Sequence, residues 1–108
     1  GKQVEALALQ SESISLYPHD AQLQCDAGIM LVDAGRKGEG AACLMQALWL
    51  DPNLAKAHFR LALLLLEAGR PAEAYPHLVA TVQLKPESEQ ARALLEQLTA
   101  AMKKAKPQ

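Results

Sequence analysis

The feature that most constrains this chain is a repeat of 34 residues. Pro18, Pro52 and Pro86 stand at that interval, with a leucine two residues before each of them. Glycine recurs at the same interval, at positions 1, 35 and 69, each time followed directly by a basic residue and four residues later by a glutamate. A period of about 20–50 residues is typical of a stack of similar units that bury their apolar faces against one another.

Between these prolines and glycines, the apolar residues follow the spacing of an α-helix. Leu23, Ala27 and Met30 recur at three- and four-residue steps, as on one face of a helix. Gly35 predicts a helix end, because glycine readily adopts the left-handed conformation that closes the last turn. Pro52 predicts the end of the next helix, because proline disfavours helical geometry in the residue before it. The predicted unit is therefore a hairpin of two helices.

The predicted fold is an all-α solenoid that forms a single domain over residues 1–108. It comprises the second helix of a partial repeat (1–18), two full repeats (19–52 and 53–86) and a terminal helix (87–106). The chain opens on the repeat's glycine turn, so we expect it to be a fragment of a longer array.

Pro76 falls inside a predicted helix, where it removes a hydrogen bond, and we expect regular helix to start late there. Asn53 is the predicted N-cap of the helix that follows Pro52.

Small residues recur where two helices of a hairpin would touch. Gly28 and Ala62 share one repeat position in the first helices, and Gly40 and Ala74 share one in the second helices. Helix axes approach to roughly 8–10 Å, and small side chains permit the near end of that range. We expect these positions to form the closest contacts, and we expect Trp49 to pack in the core or between repeats.

The period, the helix pair and the turn motif together resemble the tetratricopeptide repeat. Small residues and prolines fit the family's pattern, whereas leucine mostly replaces its aromatic residues. The matching positions are Gln24, Ala27, Gly28, Leu31, Gly40, Leu44, Ala47 and Pro52 in the first full repeat, and His58, Leu61, Ala62, Leu65, Ala74, Leu78, Thr81 and Pro86 in the second. The resemblance implies a right-handed superhelix with first helices on its concave face, and a function in protein–protein interaction.

The concave face is where this resemblance places a partner. Helical spacing assigns Cys25 and Asp26 to that face. It also gives the face an apolar centre with charged edges. An exposed apolar patch indicates an interaction site, so we expect it to bind an apolar peptide, such as an amphipathic helix. The predicted partner-binding residues are Ile29, Val32, Lys56, Phe59, Arg60, Leu63 and Leu66.

Three alternatives remain open. The segment could be a structural spacer or regulatory arm of a larger enzyme or envelope assembly, with other repeats covering its apolar face. It could be a carboxylate-clamp co-chaperone, since Lys56 and Arg60 resemble the two basic residues that bind a chaperone's C-terminal carboxylate. Asp26 stands where that clamp uses an asparagine and would repel such a ligand. Finally, open repeat ends favour self-association.

Composition and motifs exclude several other functions. The net charge of −1 does not suit nucleic-acid binding, and the longest apolar run, Leu61–Leu66, is too short to cross a membrane. No nucleophile–base arrangement or phosphate-binding loop is present, so we predict that the chain is not an enzyme. The identity of the partner is not encoded in these features.

The histidines and cysteines point to no cofactor or metal. His19, His58 and His77 have no second ligand at a metal-binding spacing, so a structural role is expected for each. Cys25 and Cys43 are too few for a disulfide framework and are expected to pack as small apolar residues. The lack of disulfide patterning favours the cytoplasm, with a bacterial envelope as the alternative.

Overall fold

The computed structural model describes residues 20–105, and all regular structure within that range is helical. The helices are α1 (Ala21–Asp33), α2 (Lys37–Leu50), α3 (Ala55–Glu67), α4 (Pro71–Leu84) and α5 (Glu89–Ala105). The bounds of α1 and α2 recur 34 residues later in α3 and α4, so the predicted repeat is present in the backbone. The predicted all-α class is confirmed. The predicted leading helix lies outside the described residues.

The chain divides into two compact units, residues 1–57 and 58–108. In the described part of the first unit, α1 packs along α2, and in the second unit α4 packs along α5. The boundary falls inside α3 rather than after Pro52, where the sequence divides the repeats. The division of the chain into repeats within one domain stays a prediction.

The turn inside each hairpin is closed by glycine. Gly35 and Gly69 have φ angles of +86° and +75°, in the left-handed region that side chains disfavour. The Arg36 N–H donates to the Leu31 carbonyl at 2.8 Å, and the Gly35 N–H donates to the Val32 carbonyl at 3.0 Å. The same pair of bonds closes α3 at Gly69. This is the Schellman motif, which satisfies the last carbonyls of a helix.

The basic residue and the glutamate that recur around this turn form an ion pair. Arg36 and Glu39 lie 2.5 Å apart, and Arg70 and Glu73 lie 2.7 Å apart. All four side chains are more than half exposed, so each pair contributes at most about 1 kcal/mol. The repeat motif is thus a surface feature of the turn rather than a recurring catalytic acid.

Helix α1 begins with a side-chain N-cap, and the residue predicted to cap α3 does not do so. The Leu23 N–H donates to Asp20 Oδ1 at 3.1 Å, which makes Asp20 the N-cap of α1. The predicted cap at Asn53 is wrong, because α3 begins at Ala55 and Asn53 lies one residue too early. The Asn53 N–H instead donates to the side chain of Asp51 at 3.0 Å, within the turn between the hairpins.

We expect Asp20→Ala to lower the free energy of unfolding by about 1 kcal/mol, because the bond from the Leu23 N–H to the Asp20 side chain is lost. Urea denaturation followed by circular dichroism measures this change. Asp20→Asn is the matched control, since its side-chain oxygen can still accept the bond, and it should stay close to the parent. Equal stability of all three proteins would contradict the assignment of the cap.

Helix α4 is continuous through Pro76. The expectation of a late start is therefore wrong, because Pro71 occupies the first turn, where a missing N–H costs nothing and a fixed φ favours the helix. Pro76 removes only the bond to the Ala72 carbonyl. Ala72 is exposed, so solvent can donate to that carbonyl in place of the missing N–H.

Each unit has its own buried residues. In the first, Cys25, Leu44 and Ala47 are fully buried. In the second, a buried cluster joins α3, α4 and α5, and we call it the lower core; it consists of Ala62, Ala74, Leu78 and Leu98. Partly buried apolar residues surround the lower core: Phe59, Leu65, Leu66, Leu94, Leu95 and Met102. Within residues 20–105, no helix has both the length and the apolar content to span a bilayer.

Candidate protein-interaction surface

The predicted partner-binding residues lie on α1 and α3, the first helices of the two hairpins. Ile29 and Val32 belong to the first unit, and the residues on α3 from Phe59 onward belong to the second. Lys56, in the first turn of α3, is the exposed member of the set, and the other six are half-buried. No apolar residue of the set is fully buried in the chain, so each retains surface that a partner could cover.

Helix α3 carries five of the seven predicted partner-binding residues. Leu63 lies four residues after Phe59 and three before Leu66, so it borders the side of the helix that they occupy. Phe59 and Leu66 pack against the lower core, so their side chains contribute to folding of the second unit. Lys56, Arg60 and Leu63 follow one another at four- and three-residue steps and therefore lie on one stripe of the helix, which we call the basic stripe. Of Phe59, Leu63 and Leu66, Leu63 is the one that is not among the residues packed on the lower core.

In the first unit, the structure gives the surroundings of three residues assigned to the concave face. Cys25 is fully buried, so its predicted place on an open face is wrong; as a small apolar side chain it packs inside the unit. A γ-methyl of Val32 lies against the backbone of Gly40, in the contact between α1 and α2. Asp26 accepts a hydrogen bond from the Gln22 amide at 3.0 Å, one helical turn earlier.

The sequence reasoning missed an exposed apolar pair on α2. Trp49 is 80% exposed and Met45 is 58% exposed, one helical turn apart on the same side of the helix. The expectation that Trp49 packs in the core or between repeats is therefore wrong within this chain. The position of Trp49 at the end of α2 does not indicate whether its side chain is buried or exposed, and only its apolar chemistry suggested burial.

The structure also brings two histidines together that no spacing rule connected. The Nδ1 atoms of His58 on α3 and His77 on α4 are 3.0 Å apart, and both side chains are half-buried. Burial lowers the pKa of His77 below the ordinary histidine value, and the neighbouring charge of His58 lowers it further. Among residues 20–105, no group of three or more His, Cys, Asp or Glu side chains is placed to hold a metal ion.

No known sequence family and no curated protein matches the chain. Solved structures do match. The first TPR of Spaghetti (RPAP3), bound to the HSP90 peptide SRMEEVD, superposes with a TM-score of 0.84 over 94% of this chain and 81% of that chain, at 18% identity. The chain has the tetratricopeptide-repeat fold. The hairpins of 34 residues and the small residues between their helices agree with that assignment.

Two further tetratricopeptide-repeat matches show how widely this fold is used. The Yersinia enterocolitica type III secretion translocator chaperone SycD matches with a TM-score of 0.84 over 95% of this chain and 76% of that chain, at 21% identity. An O-GlcNAc transferase mutant from Thermobaculum terrenum matches with a TM-score of 0.78, at 21% identity. The match covers 91% of this chain but only 19% of that enzyme. At such identities the likeness concerns the fold, which many functions share.

Proposed function

We propose that this tetratricopeptide-repeat chain is a protein–protein interaction scaffold, which binds a peptide or partner segment through the exposed surface of its first helices. The observation that carries the proposal is the basic stripe of α3, where Leu63 is half-buried beside two cations and is not among the residues that pack on the lower core. Exposed apolar side chains rimmed by charge are typical of interaction sites. The peptide bound to the Spaghetti repeat supports the same class of function.

The chemistry of these residues favours an amphipathic partner with acidic groups. Leu63 offers apolar contact, and Lys56 and Arg60 provide charge that attracts and orients an anionic segment. Phe59 and Leu66 would contribute only the part of each side chain that the lower core leaves uncovered. The placement of Ile29 and Val32 in the same site follows from sequence spacing alone. The proposed role is binding without catalysis.

We expect Leu63→Glu to abolish capture of a partner from native extract while leaving helicity unchanged. The reason is that a carboxylate in the basic stripe removes apolar contact and repels an acidic ligand. Met45→Glu is the matched control, because it places the same charge at an exposed apolar position on α2. The captured protein must then bind the purified parent and fail to bind purified Leu63→Glu. Loss of binding in Met45→Glu, or retention in Leu63→Glu, would contradict the proposed surface.

A carboxylate clamp is the second candidate, and the peptide bound to the Spaghetti repeat is the observation that favours it. Lys56 and Arg60 are one helical turn apart, and two cations suit a terminal carboxylate. Fluorescence anisotropy with labelled SRMEEVD tests this directly. Binding that requires a free C-terminus and is lost in Lys56→Ala and Arg60→Ala would establish the clamp. The negative charge of Asp26 leads us to expect no such binding.

The structural alternatives give different results in the same experiments. A spacer or regulatory arm would capture nothing on its own, and variants of the basic stripe would disturb only assembly with the rest of its protein. Self-association would appear as a concentration-dependent sedimentation coefficient between low and high micromolar protein. A monomer that captures a partner through Leu63 supports the scaffold against both.

A further inference from the structure

The His58–His77 contact is a hydrogen bond between two groups of the same kind. The Nδ1 atoms are 3.0 Å apart, and the rings are tilted by 41° with their centroids 5.3 Å apart. A neutral imidazole has one N–H donor and one acceptor nitrogen, so the pair holds one hydrogen between the Nδ1 atoms. The two neutral rings must therefore be opposite tautomers.

The backbone around His77 is held in place on both sides. Pro76 precedes His77 and has its own φ angle fixed by its ring, and the Thr81 hydroxyl donates to the His77 carbonyl at 2.8 Å. Thr81 is itself buried, at 3% exposure. Since α4 is continuous here, the His77 ring is presented to α3 from a fixed backbone.

The charged residues nearest to the pair along α3 and α4 are Lys56, Arg60 and Glu73. Lys56 and Arg60 stand two residues before and after His58, so helical geometry directs them to other sides of α3. Glu73, one turn before His77, is engaged by Arg70 at 2.7 Å. On α5, the face toward the lower core is apolar, and the charged residues are exposed: Glu89, Arg92, Glu96, Lys103 and Lys104. Burial and His58 are the causes of the lowered pKa of His77.

We propose that His58 and His77 form a proton-sensitive latch between α3 and α4, closed while one hydrogen lies between their Nδ1 atoms and released when each Nδ1 carries its own. One added proton leaves the bond in place, because an imidazolium Nδ1–H can still donate to the neutral partner. A second proton places two N–H groups and two positive charges against each other, and the rings must separate.

The direction of the pH dependence follows from linkage. The pKa of His77 is lower in the folded chain than in the unfolded chain, where it is about 6.5. The unfolded chain therefore binds more protons in the mildly acidic range, and stability falls as the pH falls through that range. The equivalent positions in the first hairpin are Gln24 and Cys43, and neither takes up a proton there. Of these two equivalent pairs of positions, the pair in the second hairpin is the one that can form such a latch.

A proton fits this pair better than a metal ion does. Two imidazoles provide half of a tetrahedral zinc site, and residues 20–105 contain no group of three or more ligating side chains that would complete one. The nitrogens also face each other along a hydrogen bond, whereas two metal ligands must both point at a third atom.

NMR titration of the histidine ring protons from pH 8.5 to 4.5 tests the latch. We expect the ring protons of His77 to report proton uptake at a lower pH than the ordinary histidine value. In His58→Asn, the proton uptake of His77 should move to higher pH, because the neighbouring charge is gone. His19→Asn is the control and should leave the proton uptake of His77 unchanged. Proton uptake by His77 at the ordinary pH in the parent, or an unmoved uptake in His58→Asn, would overturn the proposal.

Thermal melts at pH 7.5 and 5.0 provide a second readout. His77→Asn keeps a polar atom where Nδ1 lies but takes up no proton, so its Tm should depend less on pH. The parent's Tm should drop more than the variant's by on the order of 5 °C. Equal drops would overturn the latch, as would loss of the pH dependence in His19→Asn. Should a variant fail to fold, the proton uptake of His77 in the parent alone decides.

Discussion

Leu78→Ala is expected to lower the free energy of unfolding by about 2–5 kcal/mol. Leu78 is fully buried in the lower core, where its neighbours include Ala62 and Ala74. Alanine side chains are too short to move into the space that Leu78 would leave, so most of the cavity persists. Domains of this size are stable by only about 5–15 kcal/mol, so the variant should lose a large share of its stability. Urea denaturation followed by circular dichroism measures the loss.

Leu84→Ala is the matched control, because Leu84 ends the same helix and is 38% exposed. We expect it to cost less than Leu78→Ala, since more than a third of its surface stays in water and no closed cavity forms. Leu44 occupies the same repeat position in the first unit and is also fully buried, so Leu44→Ala should resemble Leu78→Ala. Similar losses in Leu78→Ala and Leu84→Ala would mean that the lower core is not the source of stability.

The helices and turns could be predicted because they depend on residues close together in sequence. Gly35 and Gly69 end their helices through backbone conformation, a property of the residue itself. The 34-residue period then fixed the order of the hairpins. The error at Pro76 has a local cause as well. A proline in the middle of a helix was expected to delay the helix start, but Pro71 had already set that start.

Side-chain orientation was harder to predict, because it depends on the rotation of each helix about its axis. An error of one residue rotates a side chain by about 100°. Cys25 was assigned to an open face and is buried, whereas Trp49 was assigned to packing and is exposed. The contact of His58 with His77 spans 19 residues and depends on the packing of two helices, so no spacing in the sequence reveals it.

The candidate surface shows the same limit. Helix α3 is apolar around most of its circumference, so periodicity could not separate residues that pack from residues that remain available. The structure separates them by their neighbours: Phe59 and Leu66 contact the lower core, and Leu63 lies on the stripe of Lys56 and Arg60. A test that replaces Phe59 would confound folding with binding, which is why Leu63 is the better site for a charge.

The contact between α1 and α2 was predicted from two glycines, and it is close enough to exclude a methyl group. A β-carbon added at Gly40 would lie 2.5 Å from Cγ2 of Val32 and 2.8 Å from the Gly28 carbonyl oxygen. A β-carbon added at Gly28 would lie 2.7 Å from Cγ of Leu44 and 2.9 Å from the Gly40 carbonyl oxygen. The backbone oxygens cannot move aside without separating the two helices.

We therefore expect Gly40→Ala to destabilise the chain by about 1–3 kcal/mol, even though alanine favours a helix by about 1 kcal/mol over glycine. Gly38→Ala is the control, because Gly38 is on the same helix and an added β-carbon there meets nothing within 4 Å. That variant should be as stable as the parent or slightly more stable. Thermal and urea melts of the two alanine variants separate the effects, since propensity acts on both and steric overlap acts on one. Gly40→Ala matching Gly38→Ala would show that α1 and α2 can move apart at little cost.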